Sequence, residues 1–371
     1  MERSSEAGPE APSERRVLGC QGTIRDGTAT PFWNILVVGR CMGTSLETGS
    51  FTLALAGDTM LGRGVAERLG QHPAPSLFSE AVIAAAAEAD VFIVNLECAI
   101  SDRGEPWPDP EKPFFFRAPP VAAEVLARLG VDCVTLANNH ALDFGPTALL
   151  DTIRHLHDSG VACVGAGATE QEARTPVRIE ANGTTIGVVG VTDHPHDYAA
   201  DDHTPGVAYA DLRHSTPSWL TDSIRALETG VVVVTPHWGP NMTSGPVPHV
   251  RRAAEELRRA GAKLIAGHSA HVFHGVSRGI LYDLGDFLDD YWRDPVLRND
   301  LGLLFLVTFA DHQPVGLQAI PLALDYCFTR LAQREEAAWI ARRFAEACAA
   351  FDTNVELIGG RLVVDWRSCA A

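Results

Sequence analysis

The chain has 371 residues, 46% of them hydrophobic and 21% charged, proportions of an ordinary globular protein rather than a disordered or membrane-embedded one. Its formal charge of -17 opposes non-specific attachment to nucleic acid or to an anionic membrane, so an anionic substrate would have to be met by local positive charge or metal. Eight scattered cysteines form no Cys-x-x-Cys pair, which speaks against a small disulfide framework or a structural zinc site and fits free thiols in a reducing compartment.

Residues 1–50 open with MERSSEAGPEAPSERR and hold no sustained apolar period, the composition of a disordered leader rather than a signal peptide. The short run FWNILVVG inside them could equally be a weak strand. From Phe51 the pattern changes to short apolar strands alternating with helices, which predicts an α/β domain over residues 51–325. FTLALA, VFIVN, DCVTLA, VACVG, TIGVVGV, GVVVVTP and AKLIAG read as strands, and FSEAVIAAAAEA, PTALLDTIRHLHDS, PSWLTDSIRALET and PHVRRAAEELRRAG as helices. Asn182-Gly183 between two β-branched runs predicts a tight hairpin, so the sheet should be mixed. Residues 326–371 follow with a charged helix and a final hairpin, VELIGGRLVVD, packed on the domain. No run approaches the roughly 20 apolar residues of a spanning helix, and the expected location is the cytoplasm.

In open α/β sheets ligands collect beyond the carboxyl ends of strands. Here five strands end in residues able to bind metal or move protons: Asp58; Asn95 and Glu97; Asn139 and His140; His237; His268 and His271. Each alone has an ordinary explanation as turn residue, surface carboxylate or hydrogen-bonded imidazole. Together they are the donors that Mn, Fe or Zn select, and a carboxylate shared between two ions is how a two-metal hydrolytic site balances its charge. Arg63 and Arg117 could grip an anionic substrate bidentately, and Asn95 and Asn241 are further candidate substrate contacts.

The segments LALAGDTMLGR, FIVNLECAIS, KPFFFRAPP, TLANNHALDFG, GVACVGAG, PHWG, AGAKLIAGHSAHVFHG and LYDLGDF together resemble the bacterial capsule-synthesis family CapA, over roughly Phe51 to Leu324. That family is associated with poly-γ-glutamate capsule synthesis and related to calcineurin-like metallophosphoesterases. The resemblance implies a four-layer α/β/β/α sandwich with mixed sheets. It also implies one or two divalent metal ions held by Asp58, Glu97, Asn139, His237 and the His268/His271 stretch, with His140 as proton donor or transition-state stabiliser oriented by Asp143. The substrate would be an anionic small molecule or a poly-γ-glutamate-like polymer, cut at a phosphoester or a γ-glutamyl amide; the alternative is a non-catalytic polyanion-binding component of capsule synthesis or export. Three departures stand out: Met60 where the superfamily has a histidine, Ser269-Ala270-His271 where many relatives read His-Pro-His, and Asp286 where the family usually has asparagine.

Overall fold

The computed structural model describes residues 37–38, 49–71 and 76–367. Two large mixed sheets organise them. The larger runs in the order Glu356–Ile358, Arg361–Asp365, Gln313–Asp325, Leu301–Ala310, Phe51–Thr59, Val91–Leu96, Cys133–Thr135, Ala162–Val164, with Asp286–Leu288 beside Phe51–Thr59 and Phe328–Leu331 beside Gln313–Asp325. The smaller runs Val37–Val38, Val177–Ala181, Thr184–Thr192, Val231–His237, Leu264–Ala266, Ile280–Leu281, Val276–Ser277. Four consecutive neighbours in each sheet are parallel, from Phe51–Thr59 to Ala162–Val164 and from Thr184–Thr192 to Ile280–Leu281. Their carboxyl ends therefore share an edge, the geometry that gathers strand-end residues.

Apolar alternation explains why the strands pack as they do. Phe51, Leu53 and Leu55 of one sheet and Ile186, Val188, Val231 and Val233 of the other belong to one buried cluster. The intervening residues, Ala54 and Ala56 or Val189, Val191 and Val234, face two further clusters with the helices. Val121–Leu129 stops at Gly130, whose φ of 92° closes the helix in the left-handed region. Asn182 (φ 47°) and Gly183 (φ 80°) make the expected hairpin between Val177–Ala181 and Thr184–Thr192. The final hairpin pairs with Gln313–Asp325, and the helix Arg334–Ala349 sends Ile340, Phe344 and Cys348 into the cluster shared by both sheets.

Of the expected leader, Val37–Val38 pair in parallel with Ile179–Glu180, and the rest up to residue 48 lies outside the described residues. No helix among the described residues is long and apolar enough to cross a membrane. Cys98, Cys133, Cys163, Cys327 and Cys348 are free thiols.

Candidate metal centre

The strand Phe51–Thr59 changes partner just before it ends. Its first half pairs with Leu301–Ala310, while Asp58 and Thr59 pair with Asp286–Leu288. Gly57 makes the exchange possible: a Cβ there would lie 1.7 Å from the Gly285 carbonyl oxygen, and the Asp58 amide donates to that same oxygen at 2.9 Å. The turn carrying Asp286 is thereby drawn against Asp58.

Asp58, His271 and Asp286 each offer a ligand atom within 4.8 Å of the others, and all three are buried. His271 Nδ1 lies 2.9 Å from Asp286 Oδ1 and 3.2 Å from Asp58 Oδ2. Burial opposes charge on His271, but the two carboxylates outweigh it and hold its imidazole well above the ordinary range. Burial likewise opposes charge on Asp58, yet His268 and His271 beside it hold its carboxyl well below the usual range. Asp286 has no such surplus of partners, and burial pushes its carboxyl up. The loop is bent to deliver these groups, since Ser269 (φ 108°) and His271 (φ 58°) both occupy the left-handed region that side chains avoid.

Glu97 and His237 approach from the neighbouring strands of the two sheets, with His237 Nε2 at 3.7 Å from Glu97 Oε1. Both are fully buried. Burial, then the charge of Asp58, pushes the Glu97 carboxyl well above its ordinary range. Burial pushes His237 well below its own, so its ring is neutral and keeps a lone pair. Between them Asn95 donates to Asp58 Oδ1 at 2.7 Å and accepts from Asn138 at 2.9 Å, while Asn138 also binds the Leu96 carbonyl at 2.8 Å. Asn95 thus braces the acidic wall.

Six buried donor atoms here lack any hydrogen-bond partner: both oxygens of Glu97, Asn139 Oδ1, His237 Nε2, His268 Nδ1 and Asp286 Oδ2. His268 Nδ1 is 3.3 Å from Asp58 Oδ1 but without hydrogen-bond geometry. Unsatisfied buried oxygens and nitrogens are rare because each costs about 1–3 kcal/mol. A cluster of them, all with lone pairs of the kind that bind divalent cations, fits a metal ion as the missing partner.

Beside this group His140 and Asp143 form a buried pair. His140 Nδ1 is 2.7 Å from Asp143 Oδ2, and its ring packs edge-on to Phe116 at 4.5 Å. Burial lowers the His140 pKa, against the pull of Asp143. Asp143 is saturated: Oδ2 also accepts from the Phe116 amide at 2.6 Å, and Oδ1 from Lys112 at 2.9 Å and the Tyr198 hydroxyl at 3.3 Å. Lys112, not singled out from the sequence, also donates to the Asn139 carbonyl at 2.9 Å and so ties the dyad to the adjoining asparagine.

The residues expected to meet a substrate have the following surroundings. Arg63 is clamped by Asp290, with Nε 3.0 Å and Nη2 2.9 Å from its two oxygens, and stacks near Phe114, Phe116 and Tyr291. Arg117 lies 4.1 Å over the Phe144 ring, and Asn241 is exposed. Met60 is buried beside the site and supplies no lone pair of the expected kind. Asp286 enters the cluster that sequence reasoning left without it; its place opposite Asp58 depends on a strand pairing that no local pattern announces.

An α/β scaffold whose parallel strands end in Asp, Glu, Asn and His around one buried cluster is of the metallophosphoesterase-like class. More narrowly, the chain belongs to the bacterial capsule synthesis protein family PGA_cap, whose model matches residues 52–291. It is 29% identical over 354 residues to a probable polyglutamine synthesis accessory protein of Mycobacterium tuberculosis, covering 79% of this chain and 92% of that one. The PGA biosynthesis protein CapA of Bacillus subtilis is 29% identical over 245 residues, 64% of this chain and 63% of that protein. The capsule biosynthesis protein CapA of Bacillus anthracis is 27% identical over 292 residues, 75% of this chain and 69% of that protein.

Proposed function

We propose that this chain is a metal-dependent hydrolase of capsule or poly-γ-glutamate metabolism, acting on a phosphoester or a γ-glutamyl amide. Residues 51–325 would form the domain bearing the site, as a four-layer α/β/β/α sandwich. One apolar cluster shared by the sheets and one beneath the helices of each support that layering. The observation that carries the functional reading is the set of six orphaned donor atoms at the strand ends.

Asp58, Glu97, Asn139, His237, His268 and His271, with Asp286 beside them, would hold the ion or ions. A bound ion there would supply Lewis acidity and the positive charge that this acidic protein otherwise lacks for an anionic substrate. The chain's own residues would do the rest. His140 commits Nδ1 to Asp143, which leaves Nε2 to exchange a proton with the leaving group. Asp143 is held by four donors and cannot swing away, so the imidazole keeps one orientation. Phe116 against the ring excludes water from that face.

A second reading, a non-catalytic component that binds polyanion, is favoured by Met60 in place of an expected imidazole and by the accessory role in the name of the M. tuberculosis relative. Metal analysis of purified protein, followed by a screen on phosphoesters and γ-glutamyl peptides, decides between them. A bound transition metal with turnover that disappears in Glu97→Ala supports the hydrolase. Polymer binding without turnover under any metal supports the second reading and removes the first.

A further inference from the structure

Tyr291 stands where the metal group meets the His140–Asp143 pair. Its ring meets His271 edge-on at 5.4 Å and tilts against Phe116 at 5.8 Å, and Phe116 in turn packs on the His140 ring at 4.5 Å. The Arg63 guanidinium, clamped by Asp290, lies 5.8 Å from the same ring. The backbone is held as well, since the Tyr291 amide donates to Asp289 Oδ1 at 2.9 Å. Tyr291 is half-buried and Trp292 after it is 92% exposed, so the ring stands where the buried cluster opens to solvent.

Packing accounts for the ring but not for the hydroxyl. A phenylalanine would make the same ring contacts, and a tyrosine hydroxyl held against a protein interior usually finds a partner. Among the described residues this one has none. It is not spent on the neighbouring acids, because both oxygens of Glu97, Asp286 Oδ2 and Asp289 Oδ2 are themselves without hydrogen-bond partners. Yet those acids are close: burial pushes the phenol well above its ordinary range, and the charges of Glu97, Asp286, Asp289 and Asp58 push it further. Interaction with all four sets the oxygen on the cluster's side of the ring.

A substrate oxygen that gathers negative charge beside these acids needs a donor, and the cations at hand are committed elsewhere. Lys112 is held by Asp143 and the Asn139 carbonyl, and Arg63 by Asp290. His140, in the proposed mechanism, serves the leaving group. A phenol, protonated at neutral pH from its ordinary pKa of about 10, offers one O–H for this purpose. We propose that Tyr291 is a further catalytic residue, its hydroxyl donating a hydrogen bond to the substrate oxyanion between the metal group and His140. Its part in turnover rests on the hydrolase reading; its contact with an oxyanion does not.

The test is isothermal titration of the Mn-loaded full chain, freed of excess metal, with inorganic phosphate, for wild type, Tyr291→Phe and Tyr326→Phe. Elemental analysis and circular dichroism check metal content and folding. Tyr291→Phe should keep its Mn and bind phosphate about tenfold or more weakly, the scale of a hydrogen bond to a charged group. Tyr326→Phe, at an exposed tyrosine, should bind as wild type does. Turnover of Tyr291→Phe should also fall about tenfold or more; a fall on phosphoesters assigns the contact to a phosphoryl oxygen, and a fall on γ-glutamyl peptides to the tetrahedral oxygen of an amide. Failure of wild type to hold Mn or phosphate, equal phosphate affinity in wild type and Tyr291→Phe, or an equal loss in Tyr326→Phe would each overturn the proposal, and so would loss of Mn in Tyr291→Phe, which would make the phenol a ligand. Phosphate affinity that depends on Tyr291, with no turnover in any form, upholds the contact while the hydrolase reading falls. Turnover and phosphate affinity both unchanged in Tyr291→Phe do the reverse.

Discussion

Glu97→Gln separates two energies that the wild-type protein superimposes. The carboxylate is fully buried, neither oxygen has a hydrogen-bond partner, and burial holds its pKa well above the ordinary value. Without metal the group either stays charged, at an effective cost of several kcal/mol, or takes up a proton and still leaves polar atoms unsatisfied, at about 1–3 kcal/mol. Glutamine removes the charge while preserving shape. Metal-free Glu97→Gln should therefore match wild type or exceed it by about 1–3 kcal/mol at neutral pH. The pH dependence has a definite sign: with the folded pKa raised, Glu97 costs nothing below its unfolded value of about 4.3 and destabilises the metal-free fold as pH rises through the raised value. That part of the slope should vanish in the variant. With metal the order reverses, because a ligand at a hundred times its Kd adds roughly 2.7 kcal/mol to wild type and less to a protein lacking that carboxylate. Urea denaturation of both proteins, with chelator and with Mn, at acidic and alkaline pH, reads both energies. A metal-free variant destabilised by more than about 2 kcal/mol would mean that Glu97 has a protein partner, and equal gains from metal would remove it from the centre.

His140→Ala should keep its metal, measured by elemental analysis, while turnover on the substrate the screen identifies falls roughly 10² to 10⁴-fold; equal loss of metal would make the imidazole a ligand. Lys112→Met should lower stability by about 3 kcal/mol in urea, because it strands Asp143 without its buried counter-charge. Gly57→Ala should fold poorly and bind no metal, since its Cβ meets the Gly285 carbonyl at 1.7 Å; a native melting curve would contradict the close approach. His274, pushed down to about 4 chiefly by burial, contributes stability that is complete above its unfolded value of 6.5 and lost as pH falls toward 4. His274→Gln should flatten that acid limb by up to roughly 3 kcal/mol, seen in urea midpoints across the window.

Elements with short-range causes were legible. The Asn182-Gly183 hairpin declares itself in two residues, and the strands that end in Asp58, Glu97 and His237 follow from apolar runs that stop at polar groups. What pairs across long separations was not. Arg63 reads equally as a grip on an anion and as half of a surface ion pair, and no local pattern names its partner Asp290, 227 positions later. Asn95 reads as a substrate contact until Asp58 and Asn138 close around its amide. Lys112 opens KPFFFRAPP, a segment singled out for its family likeness and for Arg117, and only the fold shows its ammonium between Asp143 and Asn139. Asp286 was noticed as a departure from its family but not as a member of the cluster, because its partnership with Asp58 comes from one strand exchanging neighbours.

That exchange also bears on how the protein is made. Asp58 is synthesised early, but Ser269, whose amide meets its carboxylate, follows 211 residues later, and Asp286 later still. At roughly 5–20 residues per second, a ribosome needs about 10–40 s to close that gap. Throughout the interval the nascent strand Phe51–Thr59 can pair with Val91–Leu96 yet lacks both Leu301–Ala310 and the turn that completes its end. An ion held by Asp58 together with this turn would therefore be captured only after residues 269–286 have been made.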